Sequence, residues 1–196
     1  LSIYNNPKKF ESVSSSIKAI PGVKNVTVSS NVPGGNIPTS YEYLVQSKAY
    51  AMQTIAVGYG YFETLNIGLK EGKVFSSSFP VDSANAVINE TAAKAMGLKK
   101  PVGTIVKGRD ANYRIIGVIK DVKANGFESK IQPAIYLMND GYGLLKTQIM
   151  ISAESKAIPA MLSTLSHHWS DINKLDGDNF NYHFLDNWYI LRLHLN

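Results

Sequence analysis

The chain has 196 residues, 44% hydrophobic and 18% charged, which supplies a core for one large domain or two small ones and excludes the disordered and coiled-coil classes. Its 20 lysines and arginines outnumber 15 aspartates and glutamates, for a net charge of +5. The positive residues stand singly or in pairs such as Lys8-Lys9 and Lys99-Lys100, without basic–aromatic interleaving, so no nucleic-acid partner is expected; with no cysteine, disulfides, thiol nucleophiles and cysteine-based zinc sites are excluded.

In chain order, Asn6 is placed to cap a helix that has Pro7 at its first position. Phe10, Val13, Ile17 and Ile20 recur at helical spacing until Pro21-Gly22 ends the run. "VKNVTVSS" alternates as a half-buried strand, "NVPGGNIPTS" is dense in turn signals, and "YEYLVQ" and "AMQTIAVG" read as two more strands. "YFETLNIG" predicts a two-turn helix stopping at Gly68, and "LKEGKVFS" a turn through Glu71-Gly72.

Ala86–Ile88 reads as a short strand, followed by a helix over Glu90–Met96 that Asn89 caps and Gly97 ends. "TIVKG" and "YRIIGVIKDV" are strands separated by "RDAN". "AIYLM" and "TQIMIS" are strands around "NDGYG". A long helix with Ile158, Met161, Leu162, Leu165, Trp169 and Ile172 as its buried stripe follows, "LDGDN" breaks it, and "FNYHFLD" is the last strand. No run approaches the roughly 18 apolar residues of a membrane helix. The start at Leu1 and the apolar-rich "NWYILRLHLN" at the end suggest an excised segment. Long elements at both ends and short ones in the middle predict a domain with an insertion, with the helices Phe10–Ile20 and Ile158–Ile172 on a shared sheet.

Each candidate site in the sequence also has a plain architectural reading. Gly58-Tyr59-Gly60 resembles a dinucleotide fingerprint, but Tyr61-Phe62-Glu63 stands where the third glycine belongs, and the aromatic rings would obstruct a pyrophosphate. These glycines are expected to serve tight turns around a short helix, and Tyr59, Tyr61 and Phe62 to be core and interface residues rather than a stacking platform. His167 and His168 point about 100° apart on a helix, and with Asp171 they supply too few ligands for a metal. His183 has no serine partner. Asp110, Asp121, Glu128, Asp140, Asp176, Asp178 and Asp186 lie in or beside turns, where carboxylates bond local backbone; "LDGDN" lacks the later bidentate glutamate of a calcium loop. No catalytic, cofactor-binding or metal-binding residue is therefore expected, and no enzyme.

Several motifs nevertheless fall in one order: Tyr61-Phe62, Gly72-Lys73-Val74-Phe75, Ile88-Asn89-Glu90-Thr91-Ala92-Ala93, Pro101-Val102-Gly103 and Ile116-Gly117-Val118-Ile119-Lys120-Asp121. Together, over about Ala51 to Met138, they resemble the extracytoplasmic domain of MacB/FtsX-like ABC-transporter permeases. "IKAIPGVKNVTVSSNVPGG" and "YHFLD" extend the likeness more loosely; "LDNWYILRLHLN" departs from it, being less charged than an approach to a second membrane helix. The resemblance implies an α+β fold of two lobes: a porter-like α/β lobe from residues 1–55 and 130–196, and an inserted small α/β (Sabre-like) lobe over 56–129. It also implies a segment on the periplasmic side of the cell (inner) membrane with no cofactor of its own. The implied partners are a second permease copy in a dimer, a cytoplasmic ABC ATPase reached through the membrane helices, and a periplasmic adaptor or target protein. The implied function is non-catalytic transmission of ATP-driven conformational change; the alternative is a module that senses a peptide or small ligand.

Overall fold

The computed structural model describes residues 7–31, 33, 38–78, 82–122, 130–138, 144, 146, 148–173, 180, 182–185 and 190–194. Helix α1 (Pro7–Lys18) begins at the proline, whose missing N–H is unneeded in a first turn; the expected cap, Asn6, lies outside the described residues. Over residues 11–18 it buries Val13, Ser14 and Ile17. Helix α4 (Ile158–Asn173) buries Met161, Leu165 and Trp169, spaced at four residues. The two helices touch, and they cover one face of an antiparallel sheet of β1 (Val23–Ser29), β9 (Gln148–Ala153), β11 (Ile190–His194) and β10 (Tyr182–Phe184), in that order. Val26, Val28, Ile149 and Ile151 meet the helices in a single core.

The remaining strands are β2 (Ser40–Val45), β3 (Lys48–Ala56), β4 (Leu69–Gly72), β5 (Asn85–Asn89), β6 (Ile105–Lys107), β7 (Asn112–Ile119) and β8 (Ala134–Leu137). They form one sheet in the order β4-β7-β5-β8-β3-β2-β6, and β6 pairs again with the first part of β7. Six strands thereby close into a ring, with β4 attached along the second part of β7. Pairs β3–β8 and β5–β7 are parallel. A core that takes side chains from all six ring strands, among them Tyr43, Met52, Ile88, Val106, Ile115 and Ile135, fills the interior together with Ala92 and Met96 from and beside α3 (Glu90–Ala95).

Several expectations change. Sheet membership switches between Ser29 and Ser40 and between Leu137 and Gln148, whereas the expected lobe boundaries fall at 55/56 and 129/130. β2, β3 and β8 lie with the middle strands because the ring needs them to close, a requirement element length does not encode. Leu69–Gly72, expected as part of a turn, is the strand β4; Gly72, at φ 75°, is its last residue rather than the centre of a turn. The expected two-turn helix is one turn, α2 (Tyr61–Thr64), ended by Asn66 at φ 50°. The tail at Ile190–His194 is a strand inside the four-stranded sheet, with Leu191 opposite Ile151 and Leu193 opposite Ile149. Among the described residues no helix is long and apolar enough to cross a membrane.

Candidate functional site

The glycine-rich stretch Val57–Ser76 is where the two sheets meet. Val57 forms an antiparallel bridge with Ser29, the Gly58 N–H donates to the Val28 carbonyl at 2.8 Å, and Thr27 Oγ1 donates to the Tyr59 carbonyl at 2.9 Å. A Cβ on Gly58 would stand 2.8 Å from Val28 Cγ2, so the absent side chain is what lets β3's continuation lie against β1. Gly60, at φ 75°, turns the chain into α2, and its carbonyl accepts from the Thr64 N–H at 2.8 Å. None of these N–H groups is gathered into a phosphate cradle.

Tyr61 and Phe62 are both buried in an aromatic cluster with Phe75 and Tyr136. Phe62 meets Tyr61 and Tyr136 edge to face at 5.3 Å each, the geometry aromatic quadrupoles prefer. The same core takes Ile55, Val87 and Ile116 from the ring and Met150 from the four-stranded sheet. Burial pushes the phenols of Tyr61 and Tyr136 above the usual tyrosine range, which keeps both neutral. Of the three residues expected in core or interface, Tyr61 and Phe62 lie in the core that joins the two sheets, whereas Tyr59 is exposed.

A second convergence joins motif residues about thirty positions apart. Asn89 Oδ1 accepts from the Ala92 N–H at 2.9 Å, the expected cap, and also from the Ala134 N–H at 2.9 Å. Its Nδ2 donates to the Gln132 carbonyl at 2.9 Å. The Asp121 carboxylate accepts from the Thr91 N–H at 3.0 Å and from Thr91 Oγ1 at 2.7 Å, while the Asp121 N–H donates to Glu90 Oε2 at 3.3 Å. Lys70 on β4 pairs with Glu90. That hydrogen bond, then the one from Asp121 N–H, holds the Glu90 carboxyl below its usual range, and the same partner raises Lys70. Asn89 Oδ1 thus accepts from backbone N–H groups of α3 and β8, and the Asp121 carboxylate from the N–H and hydroxyl of Thr91, so the cluster clamps α3 to its neighbours.

The other singled-out residues stay apart. His167 Nδ1–H donates to the Ser163 carbonyl at 2.7 Å within α4, His183 is exposed on β10, and Asp110 pairs with its neighbour Arg109. No group of three metal-ligating side chains occurs among the described residues. Glu128, Asp140, Asp176, Asp178 and Asp186 lie outside the described residues, as does the side chain of Asp171. The double bonding of Asn89 Oδ1 was missed by sequence reasoning, because nothing local marks Ala134 as its partner.

Residues 3–164 match the MacB-like periplasmic core domain family. Among solved structures, the chain is similar to the periplasmic region of MacB from Actinobacillus actinomycetemcomitans, with a TM-score of 0.61 and 18% identity over 84% of this chain and 74% of that one. It is also similar to the extracellular domain of the noncanonic ABC-type transporter YknZ from Gram-positive bacteria, with a TM-score of 0.61 and 16% identity over 87% of each chain. No curated protein matches its sequence.

Proposed function

Because this chain belongs to the MacB-like periplasmic core domain family, the extracytoplasmic part of ABC-transporter permeases, we propose that it is a non-catalytic transmission domain. It carries ATP-driven motion from the membrane helices of its permease to a protein or substrate outside the membrane. The observation that supports this most is the construction of the seam between the sheets. A backbone bridge at Ser29–Val57, the Gly58–Val28 hydrogen bond and a shared aromatic core with Met150 join two separately built cores. Close-packed apolar contacts of this kind resist compression and pass on displacement instead of absorbing it.

In this reading residues 7–30 with 148–194 form one unit and residues 40–138 the other, and the working partners are a second permease copy and the cytoplasmic ATPase. The test is a disulfide lock in the intact dimeric permease. Cysteines introduced on the ring units of both copies and oxidised should block transport or release and leave ATP binding unchanged, with reduction restoring transport. Full transport by the locked pair would overturn transmission by movement of these units.

A further inference from the structure

The outward face of the ring wall carries an apolar strip that its own fold leaves uncovered. Strand register places Arg114 opposite Ile105 and Lys107 opposite Leu44, so these four residues lie on one face of three adjacent strands, β7, β6 and β2. Ile105 is 40% exposed and Leu44 42%, while their strand neighbours Val106, Tyr43 and Val45 point into the ring core. Val102, 39% exposed, lies in the loop that leads into β6 and packs against Gly72, where a Cβ would stand 2.9 Å from Val102 Cγ2. The Gly103 N–H fixes this loop by donating to the Ile115 carbonyl at 2.7 Å. Two of the large hydrophobic residues left exposed, Leu44 and Ile105, therefore share one outward face with two cations, and Val102 lies in the adjoining loop.

The charge on β6, β7 and the loop before β6 is mostly positive, with Glu42 on β2 as an exposed carboxylate beside the strip. Between Lys94 and Arg114 the sequence holds six lysines and arginines and one aspartate, and that aspartate, Asp110, is already paired with Arg109. Neither Lys107 nor Arg114 has an ion-pair partner among the described residues. We propose that this wall is a docking surface for a protein segment that presents acidic side chains among apolar ones. The apolar residues would supply contact area, and Lys107 and Arg114 would steer and orient the partner.

A second copy of the chain is a poorer occupant, because a two-fold contact centred on the strip would set Lys107 and Arg114 against their own equivalents. A lipid surface is also poorer. Membrane-binding faces drive bulky apolar side chains into the headgroup layer, whereas these are half-sunk in a sheet wall beside the exposed carboxylate of Glu42. The inference does not depend on transmission by moving units: a static docking platform would bind the same partner.

The experiment titrates this chain with an extended peptide of alternating glutamate and leucine, read by NMR shift changes and by calorimetry at low and high salt. Binding should perturb β2, β6 and β7, weaken with salt, and fall about tenfold in the Lys107→Glu/Arg114→Glu variant. Ile105→Ser should weaken it at unchanged salt dependence. Lys18→Glu/Lys24→Glu, the same charge change at exposed positions on the other unit, should leave it intact. The milder Lys107→Gln/Arg114→Gln pair replaces the charge reversal if that variant loses its fold. Absence of peptide binding, or an equal loss in the Lys18/Lys24 control, would overturn the proposal. So would self-association abolished by Ile105→Ser, or binding to phosphatidylglycerol vesicles that needs Lys107 and Arg114 while the peptide does not bind.

Discussion

The two units bury their apolar residues by different means. The four-stranded sheet is open and is covered on one face by α1 and α4, whose buried residues recur every three to four positions. The ring closes on itself and fills its own interior, helped by Ala92 of α3 and Met96 beside it. The first is assembled from segments as distant as Val23–Ser29 and Ile190–His194, whereas the second is continuous from Ser40 to Leu137. An open sheet with helices tolerates adjustment of the helices. A closed ring fixes the backbone spacing of every strand, so its weak points are backbone contacts rather than side-chain volume.

This contrast can be broken most severely at Gly117. A Cβ there would stand 2.1 Å from the Lys73 carbonyl oxygen, and neither backbone can retreat without opening the wall beside β4. Gly117→Val should cost at least about 3 kcal/mol, seen as a lowered denaturation midpoint and loss of hydrogen-exchange protection in β4 and β7. Unchanged protection there would show that the ring yields more than its closure suggests.

The matching lesion in the open sheet is Leu165→Ala, which empties a fully buried position and should cost about 3 kcal/mol as a cavity. Its exchange protection should fall first in α1, α4, β1 and β9 while the ring strands keep theirs. Simultaneous loss throughout would make the molecule one cooperative unit.

Asn89 offers a sharper probe of the ring. Replacing it with alanine strands the Ala92 and Ala134 N–H groups and the Gln132 carbonyl, so Asn89→Ala should cost about 2 kcal/mol, more than an ordinary helix cap. Asn89→Asp retains the acceptor oxygen and should recover part of that loss in chemical denaturation.

The smallest effect is electrostatic. Glu90's folded pKa lies below its unfolded value because of Lys70 and the Asp121 N–H. Its contribution is therefore present above the unfolded carboxylate range and is lost as pH falls through the folded value. Lys70→Met should lower stability slightly near neutrality and leave it unchanged at acid pH, and the effect is small because Lys70 is exposed and Glu90 partly so. An equal loss at neutral and acid pH would assign Lys70 a packing role instead.

Much of the architecture was legible locally. Pro7, the stripe Met161–Leu165–Trp169, Asn89 as a cap and Gly97 at φ 67° each announce their roles within a few residues. The hairpin between β2 and β3 was less so. It turns on Gln46 and Ser47, both at positive φ, where Asn-Gly would be the recognisable pair; strand register forces this turn and local preference does not. The clamp was half legible, since Asn89 was visible as a helix cap but not as the partner of β8, and Asp121 only as a turn carboxylate.

The sequence by itself determined where helices and most strands lie, that the Gly58–Gly60 stretch is no phosphate loop, and, through five ordered motifs, the family. Those properties depend on neighbours along the chain or on motif order. Which sheet each strand joins, the closure of β6 onto β7, the placing of Ile190–His194 between β9 and β10, and the gathering of Leu44, Ile105, Lys107 and Arg114 on one face were decided only by the tertiary structure. Strand pairing satisfies backbone groups that are identical at nearly every residue, so partner choice is set by how the whole chain closes its cores, and no local pattern records it.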